Sequence, residues 1–260
     1  MEASTGKLDI WQIDLAHTVA TRFTFNQLVS DWFAVWSPDA SQIVWSSNRD
    51  SGIYNLYRKS ANGTGQDELL LKTNEAKYAN DWSRDGRLLL FSTTGKGLDL
   101  WVLPMTGNDR KPRIYLQTES NETQSRFSPD GRFVAYASNE SGRNEVYVRP
   151  FPDANAGKWM VSKGGGNQPN WRSDGKELFY VSADSKMMAV DVSPGPAFKS
   201  GTPKALFSTS IWGGATTTNT TRYGVSADGK KFVINSVVNE ASGAGAQITV
   251  VQNWQSKLKK

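Results

Sequence analysis

Cysteine is absent from the 260 residues, and histidine occurs once. The first absence excludes disulfides, thiolate zinc sites, iron–sulfur ligation and a cysteine nucleophile. The second excludes a multi-histidine metal centre. No apolar run approaches the roughly 18 residues of a membrane helix. The first eleven residues lack the apolar stretch of a signal peptide, so none is expected here. Charge of one sign is scarce too: 30 Lys and Arg against 25 Asp and Glu leave +5. That balance permits an anionic partner without demanding one. The one basic cluster, Lys257, Lys259 and Lys260, reads as a solvated tail. The missing cysteine fits cytoplasm and periplasm equally well.

What the chain has in quantity is glycine (23), tryptophan (10) and a repeat. Trp36-Ser-Pro-Asp39 precedes Ile43-Val-Trp-Ser-Ser. Trp82-Ser-Arg-Asp-Gly86 precedes Leu88-Leu-Leu-Phe-Ser92, and Phe127-Ser-Pro-Asp-Gly131 precedes Phe133-Val-Ala-Tyr-Ala-Ser138. Trp171-Arg-Ser-Asp-Gly175 and Val225-Ser-Ala-Asp-Gly229 lead into Leu178-Phe-Tyr-Val-Ser182 and Phe232-Val-Ile-Asn-Ser236. The turn aspartates Asp39, Asp85, Asp130, Asp174 and Asp228 are spaced 46, 45, 44 and 54 residues apart. A third strand follows in each unit: 54–58, 98–103, 145–149, 188–192 and 247–251. A fourth follows in most: 68–72, 113–116, 158–162 and 204–208. Four short strands per unit, punctuated by Gly, Asn, Asp and Ser, mark β-propeller blades. No capped 3.6-residue period occurs, so almost no helix is expected.

The corner has a physical reading. Pro pre-sets φ, Asp bonds backbone amides, and Gly takes the positive φ that closes the hairpin. The aspartates are turn formers first. The aromatic residue before each corner is expected to pack on a neighbouring blade, where a large ring buries about 150–250 Å².

The chain opens in mid-repeat. Residues 8–13 match a third strand and 21–25 a fourth, so the first unit lacks its two inner strands. The expected organisation is one propeller domain over 1–260: a partial blade at 1–28, repeats at about 29–73, 74–118, 119–163 and 164–210, and a last blade at 211–260. An insertion covers 193–221. Five or six blades fit, depending on whether the N-terminal strands complete the last blade. An open blade exposes strand edges and suggests a homo-oligomer formed through it.

The units resemble the WD-like repeats of the TolB β-propeller family. More narrowly, they are similar to the propeller that follows the kinase domain in many bacterial serine/threonine kinases. The residues that carry the likeness are Phe127-Ser-Pro-Asp-Gly-Arg-Phe-Val-Ala-Tyr-Ala-Ser-Asn-Glu-Ser-Gly142, Glu145-Val-Tyr-Val-Arg-Pro-Phe-Pro152, Gly164-Gly-Gly-Asn-Gln-Pro-Asn-Trp171, Asp174-Gly-Lys-Glu-Leu-Phe-Tyr180 and Ile248-Thr-Val-Val-Gln-Asn-Trp254. The resemblance implies an all-β TolB-type propeller, a bacterial protein and a periplasmic or otherwise extracytoplasmic location. No kinase Gly-rich loop, His-Arg-Asp loop or Asp-Phe-Gly motif occurs. On that resemblance the chain is the sensory or docking part of a longer protein, truncated at the front.

Enzyme chemistry was weighed on the residues. There is no Gly-x-Ser-x-Gly elbow, and the sole possible histidine base, His17, sits in a polar loop beside Asp14. With oxygen ligands alone, calcium and magnesium are the candidate cations, calcium in the central channel with Asp81 near enough to contribute. Carboxylate pairs for glycan hydrolysis could be drawn from Glu119, Glu122, Asp31 and Asp81, but sequence sets no separation. Nucleic acid is not expected, because the aromatics fall at core positions and the basic residues interleave with acidic ones.

Binding at the propeller mouth remains. The loops that enter each first strand carry Asn, Gln, Arg, Thr and aromatic residues, a recognition mixture on a rigid scaffold. The candidate binding residues are Trp32, Tyr78, Asp81, Gln124, Arg126, Gln168, Asn170, Arg222 and Tyr223. The expected function is a non-catalytic protein-interaction or ligand-sensing module. The alternative is a propeller-class hydrolase of small esters, lactones or glycans.

Overall fold

The computed structural model describes residues 8–26, 28–107, 109–193, 195–211, 219–236 and 247–252. Its strands form six separate antiparallel sheets. β1 (Trp11–Asp14) and β2 (Val19–Arg22) make a two-stranded sheet. Four sheets have four strands in chain order. The first holds β3 (Asp31–Trp36), β4 (Gln42–Asp50), β5 (Ile53–Ser60) and β6 (Glu68–Leu71). The second holds β7 (Lys77–Trp82), β8 (Leu88–Thr94), β9 (Leu98–Pro104) and β10 (Arg113–Leu116). The third holds β11 (Glu122–Phe127), β12 (Phe133–Ser138), β13 (Glu145–Pro150) and β14 (Trp159–Met160), and the fourth β15 (Gly166–Trp171), β16 (Glu177–Ser182), β17 (Lys186–Asp191) and β18 (Lys204–Ser208). β19 (Tyr223–Val225), β20 (Lys231–Ser236) and β21 (Gln247–Gln252) form a three-stranded sheet. Among the described residues the only helical element is one 3-10 turn, Ala154–Ala156.

By internal contacts the chain divides into two units, one within 1–95 and 101–112, the other within 96–100 and 113–260. In the first, Val35, Val44 and Leu56 pack with Ala79, Trp82, Leu89 and Phe91. In the second, Phe133, Val146 and Val148 pack with Trp171, Leu178 and Val190, and Phe179 and Met187 pack with Phe232 and Ile234.

The Asp corners are built from hydrogen bonds. Ser37, Ser83, Ser128 and Ser226 donate their hydroxyls to Asp39, Asp85, Asp130 and Asp228 at 2.6–2.7 Å. Each of these carboxylates then accepts the amide two residues on, from Ser41, Arg87, Arg132 or Lys230. The same serine oxygens accept the amides of Gln42, Leu88, Phe133 and Lys231. At Asp174, Arg172 replaces the serine as the side-chain donor. Glycine follows four of the five aspartates at φ +70 to +75° (Gly86, Gly131, Gly175, Gly229), while Ala40 holds φ +56° in the first corner.

Two expectations need correction. Trp36 does not staple its sheet to another: it is 48% exposed, against 9% for Trp82 and 7% for Trp171. Trp82 and Trp171 rest on the sheet that precedes theirs in the chain. Among the described residues the sheet preceding Trp36 has two strands, β1 and β2, and no counterparts of Val44 and Leu56. The outer strands expected at 21–25 and 158–162 are also shorter. Phe23 and Thr24 both donate to the Ile10 carbonyl, and Val161 and Ser162 both donate to that of Val146, so the chain leaves the ladder there.

Candidate functional site

The candidate residues fall on, or just before, the first strands of the sheets. Every four-stranded sheet has a bulge in its first strand, with register shifts at Trp32/Val35, Ala79/Asp81, Thr123/Arg126 and Asn167/Asn170. In three of them the bulge residue holds a positive φ: Phe33 (+56°), Gln124 (+55°) and Gln168 (+57°). Such backbone is uncommon for these residue types and must be held by its surroundings.

In the second unit the bulges are joined by a side-chain relay. Gln124 Oε1 accepts the Gln168 amide at 2.7 Å. Gln168 Oε1 accepts the Arg222 amide at 2.7 Å. Gln124 Nε2 donates to the Thr220 carbonyl at 3.4 Å, and the Tyr223 hydroxyl to the Gln168 carbonyl at 2.9 Å. Gln124, Gln168, Arg222 and Tyr223 are all buried. Burial raises the Tyr223 phenol and lowers the Arg222 guanidinium. Four of the nine candidates thus tie one sheet to the next. Arg126 and Asn170 are half-buried, and the Arg126 carbonyl accepts Trp171 Nε1 at 3.2 Å.

In the first unit the bulge carries a ring in place of an amide. Phe33 stacks on Trp32 (centroids 5.3 Å, 22°) and meets Tyr78 at 5.0 Å; Tyr54 meets Tyr78 at 5.9 Å. All four rings are half-buried. Here the sheet-to-sheet bond comes from β4, whose Ser46 Oγ accepts the Ala79 amide at 3.1 Å. Asp81 is half-buried on β7. Phe33 and Tyr54 are the members that sequence reasoning missed. Tyr54 sits on a third strand, and only pairing across β4 brings it beside β3.

A further set of buried ionisable residues lies eight positions before three of the five turn aspartates: Asp31, Lys77 and Glu122. Trp45 Nε1 and Arg49 donate to Asp31, and Arg49 stands 4.4 Å over the Tyr57 ring. Lys77 Nζ donates to Asn55 Oδ1 at 3.1 Å and to the Glu75 carbonyl at 2.6 Å, and burial lowers its pKa to about 8. Burial pushes the Glu122 carboxyl up to about 7. Counting back from the aspartates would have found this register position; reading the corners alone did not. His17 is exposed in the turn after β1, and its Nδ1 lies 2.6 Å from Asp14. Among the described residues no group of three or more His, Asp or Glu is arranged to hold a metal.

No protein-family model matches the chain, and no curated protein does. Solved structures match over nearly its whole length. TolB from Acinetobacter baumannii superposes with a TM-score of 0.72 at 16% identity, over 94% of this chain. This chain spans 56% of that protein. A putative TolB from Agrobacterium tumefaciens gives 0.67 at 17%, over 93% of this chain and 82% of its own. The periplasmic gluconolactonase of Pseudomonas aeruginosa gives 0.58 at 14%, over 94% and 78%. At such identities likeness speaks for the fold alone. With six sheets of repeated antiparallel strands, the chain is a β-propeller protein. Within that class its fold is TolB-like, with incomplete blades at β1–β2 and β19–β21.

Proposed function

We infer that this chain is a non-catalytic binding propeller whose recognition surface in the first unit is the cluster of Trp32, Phe33, Tyr54 and Tyr78. The single observation that supports this is the half-buried aromatic group itself. Its centre, Phe33, sits on the bulge of β3 and meets both Trp32 and Tyr78. Rigid aromatic side chains supply contact area at low entropic cost, and interfaces enrich them. The matching partner is a protein segment or small ligand that offers an apolar or aromatic group to stack on the rings. The reading places the chain in a TolB-like or kinase-linked bacterial protein, outside the cytoplasm; one similar propeller, the gluconolactonase of Pseudomonas aeruginosa, is periplasmic. No helix among the described residues is long and apolar enough to cross a membrane.

A displayed library of random dodecapeptides, selected on the whole chain, tests the reading. Selected peptides should bind the Trp32→Ala/Tyr78→Ala double variant at least about tenfold more weakly, a loss of about 1.4 kcal/mol. The variant's melting temperature should stay within a few degrees of the parent. Equal binding by the variant would refute the surface. Turnover of chromogenic esters, lactones or glycosides by the parent chain would replace the binding reading with the hydrolase one.

A further inference from the structure

Lys77 and Glu122 occupy the same place in successive repeats, and so do their neighbours. Asn55 in one repeat corresponds to Asp99 in the next, and Glu75 to Ser120. In the first repeat the place is filled by an ammonium. Lys77 Nζ donates to Asn55 Oδ1 and to the Glu75 carbonyl, so two of its three protons meet neutral acceptors. In the next repeat the cation has been replaced by a carboxylate, and the amide acceptor by a second carboxylate.

Those two carboxylates are each half satisfied. Glu122 Oε1 accepts the Thr118 hydroxyl at 2.7 Å and the Ser138 hydroxyl at 3.2 Å. Asp99 Oδ2 accepts Gln117 Nε2 at 2.9 Å. Glu122 Oε2 and Asp99 Oδ1 have no hydrogen-bond donor among the described residues, although the residues are only 1% and 2% exposed. Consecutive residues, Gln117 and Thr118, anchor the two groups. Leu98, beside Asp99, donates its amide to Asn121, beside Glu122, at 3.0 Å. The Asp99 charge adds to burial in raising the Glu122 pKa. By register the Ser120 carbonyl corresponds to the Glu75 carbonyl that Lys77 bonds, and it lies so close to Gly97 that a Cβ there would overlap it. The other nearby acid, Glu140, is paired with Lys158 at 2.8 Å. A buried carboxylate oxygen without a donor is costly, and a second buried carboxylate within electrostatic reach adds to that cost.

We propose that Glu122 and Asp99, with the Ser120 carbonyl, form a site for a hard divalent cation, calcium in the first instance, in the place where the preceding repeat holds the Lys77 ammonium. Two carboxylates supply charge. The backbone carbonyl, the Thr118 and Ser138 hydroxyls and water supply the neutral oxygens that calcium takes in number. The cation joins the start of β9 to the start of β11, as Lys77 joins β5 to β7.

The test uses the whole chain, stripped with chelator and kept at pH 8 and constant ionic strength. Adding 5 mM calcium chloride should raise the melting temperature by about 3 °C or more, because a ligand of the folded state alone stabilises it. Equilibrium dialysis with radioactive calcium should give one bound ion. Glu122→Lys restores the ammonium of the preceding repeat; it should fold, bind no calcium and show no shift. Glu122→Gln gives the same comparison should the lysine variant fail to fold. No bound calcium and no shift in the parent would overturn the proposal. So would an equal shift in the folded variant.

Discussion

Burial treats Lys77 and Glu122 alike in spite of their opposite charges, since each is driven toward its neutral form. For Lys77 the effect has a measurable sign. Its ammonium titrates near 8 in the folded chain, against an ordinary 10.5. Between those values the unfolded chain holds more protons, so stability rises with pH across that window. Lys77→Met should flatten the rise, by on the order of 1–3 kcal/mol between pH 7.5 and 10. Urea unfolding of parent and variant at the two pH values reads the difference. A rise that survives the substitution would mean that other groups produce it. The glutamines of the bulges belong to the same scale. Gln124 and Gln168 pass a hydrogen bond from sheet to sheet, and Phe33, at the corresponding place, is released for the aromatic cluster.

At the scale of the element, the Asp corner is a closed local unit. Serine, aspartate and the amides two and five positions on satisfy one another without help from the rest of the chain. The first corner departs from the pattern only in putting Ala40 where the others have glycine. Ala40→Gly should therefore stabilise the protein by about 0.5–1 kcal/mol, and Gly131→Ala should destabilise it by about 1 kcal/mol. Denaturant midpoints at constant slope would show both; a loss on Ala40→Gly would contradict the strain argument. This contrast explains what the sequence made legible. The corners were readable because their bonds close within five residues, and the strands because an apolar run recurs after each corner. The Gln124–Gln168–Arg222 relay was not, because its links run 44 and 54 residues along the chain and depend on a bulge that no residue type announces. The grouping of Trp32, Phe33, Tyr54 and Tyr78 needs the pairing of three strands. The early ends of the outer strands at Phe23 and Val161 depend on a shared carbonyl.

At the scale of the molecule, one β-unit recurs, and inside each unit of the fold a corner tryptophan packs onto the sheet before its own. The exposed Trp36 follows from that rule, because among the described residues the sheet before it has two strands where those before Trp82 and Trp171 have four. The rule also sets the expected partner of any added chain: a sheet that supplied inner strands ahead of β1 would cover Trp36. The most direct check is equilibrium unfolding of Trp36→Ala, Trp82→Ala and Trp171→Ala side by side. The account predicts losses of about 3–5 kcal/mol for Trp82 and Trp171 and below about 1 kcal/mol for Trp36. Equal losses at all three positions would contradict it.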